Sequence, residues 1–177
     1  INLGGEMCPE SLVSRWANGS RQMFNTYGPT EATVSASLAE LKAGEPVTIG
    51  TPLPNYSLVV VKVIDADSFP VGTAPMLEGL PQGETGELCI TGPGVAAGYL
   101  GRPELTVEKF LNNPWPKGPH DTRLYRTGDQ GRYLDAEGLI EFLGRQDDQV
   151  KIRGHRIELA EIDAGWLAHP QIAASTT

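Results

Sequence analysis

Glycine and proline most constrain this chain. The 21 glycines and 14 prolines are spread through 177 residues and suggest many turns and short strands. Between them lie short β-like runs at 35–41, 47–49, 58–64 and 87–91. The run Leu58-Val59-Val60-Val61-Lys62-Val63-Ile64 is the strongest strand signal. Such spacing points to an antiparallel or barrel-like unit. The chain before it reads differently. Residues 1–5 form a strand ending in a glycine turn. Residues 9–17 form a short helix with Pro9 in its first turn and Leu12, Val13 and Trp16 on one face, closed by Asn18-Gly19. Residues 22–27 form a second strand. A strand–helix–strand order suggests the edge of a parallel α/β sheet.

Further along, residues 65–87 form a long glycine- and proline-rich surface excursion. Residues 103–110 are helical, with Leu105 and Phe110 inward. Short strands at 124–127, 131–134 and 139–143 are joined by turns at Gly128-Asp129 and Ala136-Glu137-Gly138. A hairpin over 149–152 and 156–157 pivots on Gly154, and a helix covers 158–169 with Leu159, Ile162, Trp166 and Leu167 at helical spacing. The expected fold is α/β: the edge of a parallel sheet over 1–35, a barrel-like antiparallel β subdomain over 36–145, and a hinge with the start of a small α+β subdomain over 146–177.

Composition removes several classes of function. Net charge is −8, which argues against a general nucleic-acid or membrane-surface binder. Cys8 and Cys89 lack ligand-like spacing and read as buried thiols in a reducing compartment. No signal peptide or apolar run near membrane-spanning length is visible, so a cytoplasmic protein is expected. Ile1 opens directly into a strand, which suggests a piece of a longer protein.

Four stretches carry polar groups in patterns that suit a nucleotide. In Asn25-Thr26-Tyr27-Gly28-Pro29-Thr30-Glu31, a rigid Gly-Pro turn follows a strand. Tyr27 suits stacking on a flat base, Thr30 donation to an anion, and Glu31 a hard cation such as Mg²⁺. Alone, the same residues describe a strand ending in a type I or II turn. Gly4-Gly5-Glu6 offers either close approach of a base or small substrate to the backbone or a plain strand-end turn. The loop Gly92-Pro93-Gly94-Val95-Ala96-Ala97-Gly98-Tyr99 lacks the Gly-Lys-Ser/Thr ending of a phosphate loop and reads as tight packing. In Tyr125-Arg126-Thr127-Gly128-Asp129, the Asp129 carboxylate is able to accept both hydroxyl protons of a ribose diol, or serve only the turn. Residues 144–158 concentrate Arg145, Lys151, Arg153 and Arg156 at a natural joint, suited to polyphosphate or ribose or else to a solvated linker.

Taken together and in order, these blocks resemble the adenylate-forming superfamily, and most closely the adenylation domains of nonribosomal peptide synthetases. The matching segments are 25–31, 86–90 through 98–100, 125–129 and 144–158, and the resemblance extends over essentially the whole chain. It implies residue roles. Asn25 contacts adenine, Tyr27 stacks beside it, and Gly5 belongs to the same nucleotide site. Thr30 contacts the α-phosphate, and Glu31 is the Mg²⁺ ligand. Asp129 takes the ribose diol, with Arg145 as a second ribose or phosphate contact. Asp147 is the hinge about which a small C-terminal subdomain swings, and Lys151 lies in the segment that this swing brings to the active site. Thr30, Glu31 and Lys151 are thus the implied catalytic residues. The implied substrate pocket includes Asn2, Gly4, Thr26, Val34 and Ser35, a small polar set suited to a modest or polar side chain.

The implied chemistry uses ATP and Mg²⁺ to activate an amino acid, which then passes to a phosphopantetheine thiol on a peptidyl carrier domain. An acyl- or aryl-acid ligase delivering to coenzyme A is the neighbouring alternative. A non-catalytic module binding nucleotide or a carrier domain is a third. The family's lysine-bearing phosphate loop, its aspartate for the substrate amino group and its late catalytic lysine have no counterpart here. These 177 residues are therefore expected to need the remainder of the adenylation domain for activity.

Overall fold

The computed structural model describes residues 1–64, 75–147, 149–153 and 155–176. Among these, strands assemble into three sheets. The first has the order β1 (Asn2–Gly4), β2 (Met23–Tyr27), β3 (Ser37–Leu41), β4 (Thr51–Pro52). Helix α1 (Glu10–Trp16) makes the crossover that lets β1 and β2 run parallel. Pro9 sits at its N-cap and Val13 is its buried residue. The expected parallel edge is present but short. The connection over 28–36 contains no crossover helix, so β3 returns antiparallel, with Tyr27 opposite Ser37.

The second sheet is antiparallel throughout. β5 (Ser57–Ile64), β6 (Met76–Gly79), β7 (Gly86–Thr91), β9 (Arg123–Tyr133) and β10 (Ile140–Arg145) lie in the order β10-β9-β7-β5-β6. β8 (Phe110–Asn112) follows helix α2 (Pro103–Lys109) and pairs with β9. Every residue of β7 is buried, as its central place requires. The third sheet is the hairpin of β11 (Val150–Ile152) and β12 (His155–Ile157), followed by α3 (Leu159–Leu167). The expected pivot, Gly154, lies outside the described residues, as does the part of the long excursion over 65–74. The main core joins the first two sheets: Tyr27, Ala32 and Ala36 pack with Leu58, Leu88 and Ile90. Cys8 and Cys89 are both buried free thiols.

Three local readings are corrected. Residues 47–49 form no strand. The carbonyls of Thr48 and Ile49 are taken by side chains instead: Asn25 Nδ2 donates to Thr48 O at 2.8 Å, and Ser37 Oγ to Ile49 O at 2.7 Å. Residues 28–34 form a 3₁₀ turn over Thr30–Ala32, after which Thr33 and Val34 take φ of 58° and 73°, rather than a simple type I or II turn. The Ala36 N–H returns to Tyr27 O at 2.8 Å, and a Cβ on Gly28 would stand 2.7 Å from Val34 O. Glycine is therefore required there, and two β-branched residues hold a conformation they rarely adopt. Finally, no turn interrupts β9 at Gly128-Asp129. The strand runs through, because the extra residues are absorbed as a bulge against β7.

Candidate active site

The site forms where β2, the β9 bulge and the end of β10 converge. A cavity of about 610 Å³ opens there, lined among others by Gly5, Asn25, Thr26, Tyr27, Asp129, Arg145, Asp147 and Lys151. The pleat of β2 explains the first part of this set. Met23, Asn25 and Tyr27 alternate inward, and Phe24 and Thr26 lie half-buried between them. Asn25 is fixed by its bond to Thr48 O, and Thr26 Oγ1 donates to Leu3 O at 2.7 Å.

Asp129 stands at the centre. Its Oδ2 accepts from Tyr27 Oη at 2.5 Å, and its Oδ1 from Arg145 Nη1 at 2.8 Å. Arg145 also donates to Thr127 O at 3.1 Å and forks onto Asp147, with both bonds at 2.6 Å. Burial pushes the Asp129 carboxyl up, against the pull of Tyr27, Arg145 and Lys151. Burial, and then the Asp129 charge, push the Tyr27 phenol well above its ordinary value. Tyr27 is therefore a fixed donor, and its ring lies 6.0 Å from that of Phe142 at 45°. A carboxylate has about four acceptor positions, so Asp129 retains capacity for a ligand's hydroxyls beyond the two protein donors.

Glu31 forms a second centre, outside that cavity lining. Its Oε1 accepts from Tyr99 Oη at 2.6 Å and from Arg156 Nη1 at 2.7 Å. Its Oε2 is buried without a hydrogen-bond partner among the described residues. Burial opposes ionisation of Glu31, yet Tyr99, a backbone N–H and Arg156 outweigh it and hold the carboxyl below its ordinary range. A buried carboxylate oxygen with no donor fits a hard cation. No cluster of three or more His, Cys, Asp or Glu suited to a metal occurs among the described residues, so a cation at Glu31 would draw its other oxygens from a phosphate ligand.

The predicted residues thus separate into groups. Gly5, Asn25, Thr26, Tyr27, Asp129, Arg145, Asp147 and Lys151 meet at the cavity. Thr30 is exposed on the 3₁₀ turn beside buried Glu31. Asn2, Val34 and Ser35 do not line this cavity. Gly4 does not either; it lies under Thr26, where a Cβ would come within 2.6 Å of Thr26 Oγ1. Tyr99 and Arg156 were missed as partners of Glu31, because they lie 68 and 125 residues away in sequence. The 92–99 loop packs as expected, since a Cβ on Gly94 would collide with the Tyr56 ring, and in doing so it delivers Tyr99 to Glu31.

A family model described as AMP-binding enzyme matches residues 1–100. Delta-poly-L-ornithine synthetase of Acinetobacter baumannii (strain AB307-0294) is 59% identical over 164 residues, covering 93% of this chain and 11% of that protein. A component of the linear gramicidin synthase of Brevibacillus parabrevis is 50% identical over 173 residues, covering 97% of this chain and 2% of that protein. The chain therefore spans only a small part of these relatives. Among solved structures, NpsA-ThdA, an artificially fused adenylation–PCP di-domain from Klebsiella oxytoca, superposes with a TM-score of 0.74 at 33% identity, over 98% of this chain and 30% of that one. Holo-PA1221, a protein with adenylation and PCP domains bound to a vinylsulfonamide inhibitor, gives 0.79 at 26% identity, over 98% and 29%. The chain belongs to the AMP-binding enzyme family, as a segment of a nonribosomal peptide synthetase adenylation domain.

Proposed function

We propose that this chain contributes the ribose-binding and metal-binding walls of a site that activates an amino acid with Mg·ATP and passes it to a carrier-domain thiol. The observation that carries the reading is the bonded triad of buried Tyr27, buried Asp129 and half-buried Arg145 in the wall of a cavity large enough for a nucleoside. Asp129 accepts the ribose hydroxyls. Tyr27, held by its hydroxyl, presents its ring to the adenine, and Asn25 and Gly5 border the same space. Thr30 and Glu31, on the adjoining turn, face the phosphates, with Arg145 as the second ribose or phosphate contact. Bound through Glu31, Mg²⁺ would neutralise charge on the phosphate oxygens.

In the first step an oxygen of the substrate carboxylate bonds to the α-phosphorus, the bond to the β-phosphate breaks, and pyrophosphate leaves. In the second, a phosphopantetheine thiol loses its proton and attacks the activated carbonyl carbon, and AMP leaves. Positioning and fixed charge account for most of the protein's contribution. Asp147, forked onto Arg145 at the end of β10, is the hinge, and Lys151 travels with the segment beyond it. The amino acid occupies the side of the cavity bordered by Thr26, and Asn2, Gly4, Val34 and Ser35 shape its surroundings through the backbone. The relatives' names, a poly-ornithine and a gramicidin synthase, favour an amino acid over a simple acid.

ATP–pyrophosphate exchange in the full-length protein, with amino acids and plain carboxylic acids offered side by side, tests this. Exchange driven by an amino acid is expected. Exchange driven only by acids without an α-amino group would reassign the protein to acyl or aryl ligation. ATP binding without any exchange would leave a nucleotide-binding module.

A further inference from the structure

The bulge that presents Asp129 is itself held by side chains, Glu87 from the facing strand and Thr127 from within. Cys89 pairs with Arg126 and Glu87 with Gln130, so Leu88 alone faces residues 127–129 across the two strands. Such a bulge leaves backbone donors without ladder partners. Here a side chain of the facing strand supplies what the ladder does not. Glu87, 3% exposed, accepts the Gly128 N–H on Oε1 at 3.0 Å. On Oε2 it accepts Arg126 through Nε at 3.1 Å and Nη2 at 2.8 Å. The clamp thus grips both the residue that enters the bulge and the glycine at its crest. Thr127 Oγ1 completes the arrangement, donating to Leu88 O at 2.6 Å and accepting the Asp129 N–H at 2.9 Å. The bulge also turns Thr127 O toward Arg145, so the same backbone shape supports both groups of the ribose site.

We propose that Glu87 is a positioning residue for nucleotide recognition: its carboxylate shapes the β9 bulge and thereby aims Asp129 and Arg145 at the ribose hydroxyls. This rests on the ribose reading of Asp129 given above. Glu87 touches neither the cavity nor, on that reading, the ligand. It acts through the backbone of residues 127–129. Gly128, at φ 76° in the crest, is the point where the side-chain clamp and the backbone meet.

The experiment is the ratio of affinities for ATP and 2′-deoxyATP, measured by titration in the full-length protein. A substitution that only loosens the fold lowers both affinities together and leaves the ratio unchanged. Loss of one hydrogen bond to a charged acceptor corresponds to about tenfold, so the unsubstituted protein is expected to prefer ATP by that factor. Asp129→Asn, which removes the charge directly, is expected to abolish the preference. Glu87→Gln is expected to reduce it to roughly two- to threefold, and Glu87→Asp, which restores the charge, to recover part of it. If Glu87→Gln does not fold, Arg126→Met releases the clamp from the other side and carries the same expectation. An unchanged ratio in folded Glu87 or Arg126 variants, with Asp129→Asn still abolishing it, overturns the positioning role and leaves the ribose reading intact. An unchanged ratio in Asp129→Asn removes the ribose reading and this inference with it.

Discussion

Two buried carboxylates, Asp129 in the cavity wall and Glu31 outside that lining, are shifted in opposite directions. Asp129 is bonded by donors on both oxygens, yet burial raises its pKa. Glu31 has donors on one oxygen and none on the other among the described residues, yet its pKa is lowered. The difference lies in how each is built. Asp129 belongs to a sheet whose own residues, Tyr27 excepted, shape and satisfy it, so it is preorganised. Glu31 sits beside the strained Thr33 and Val34 and draws Arg156 from a separate two-stranded sheet, so part of its environment comes from a distinct element. A preorganised acceptor suits a constant feature of the ligand, the ribose. An incompletely satisfied one suits a component that arrives with the ligand, the metal.

The largest effect expected from this contrast is at Asp129. On the proposed ribose role, Asp129→Asn should weaken ATP binding by about 100-fold, or roughly 3 kcal/mol, because two charge-assisted bonds to a diol would be lost. Isothermal titration measures it, and a loss below fivefold would break the contrast on that side. Next is the bulge. Gly128→Ala forces a side chain onto a φ of 76° and places its Cβ 2.7 Å from Arg145 Nη2. A loss of about 2 kcal/mol in stability is expected from the denaturant midpoint.

Smaller effects belong to Glu31. Arg156 is 43% exposed in its side chain, so its pair with Glu31 contributes less than about 1 kcal/mol after solvent screening. Arg156→Met should leave stability nearly unchanged while lowering the Mg²⁺ concentration that half-saturates ATP binding by about threefold, since a competing cation is removed. A higher Mg²⁺ requirement would show instead that Arg156 helps to bind the phosphates. The pH dependence is smaller still and has opposite signs at the two groups. Glu31, depressed below its ordinary 4.5, adds stability that is present above that value and lost as pH falls through its folded value. Asp129, raised above its ordinary 3.8, adds stability that is present below that value and lost as pH rises through its folded value. Acid unfolding followed in Glu31→Gln should therefore show a shallower loss below about pH 4.5.

Much of this was legible in the chain, for physical reasons particular to each segment. The run over 58–64 is rich in β-branched Val and Ile and became β5, the neighbour of the fully buried β7. The Gly-Pro break after Tyr27 marked the turn that carries Thr30 and Glu31, because few backbones accept that pair in regular structure. What escaped depended on tertiary partners. Gly128-Asp129 has the chemistry of a turn, but pairing with β7, and the bonds from the facing Glu87 and the adjacent Thr127, keep it as a bulge inside a strand. Residues 47–49 look like a strand, but the carbonyls of Thr48 and Ile49 are claimed by Asn25 and Ser37. Met76–Gly79 lay in what reads as loop, and pairing with β5 makes it β6. The Arg156–Glu31 pair could not be read from a block whose four cations look alike.

The most direct measurement is ATP affinity of Asp129→Asn and Glu31→Gln in the full-length protein, each with and without Mg²⁺. The assignment of ribose to Asp129 and metal to Glu31 predicts a loss at Asp129 that is equal under both conditions, and a loss at Glu31 that appears only when Mg²⁺ is present. Equal, metal-independent losses at both positions, or a metal dependence that resides at Asp129, would contradict it.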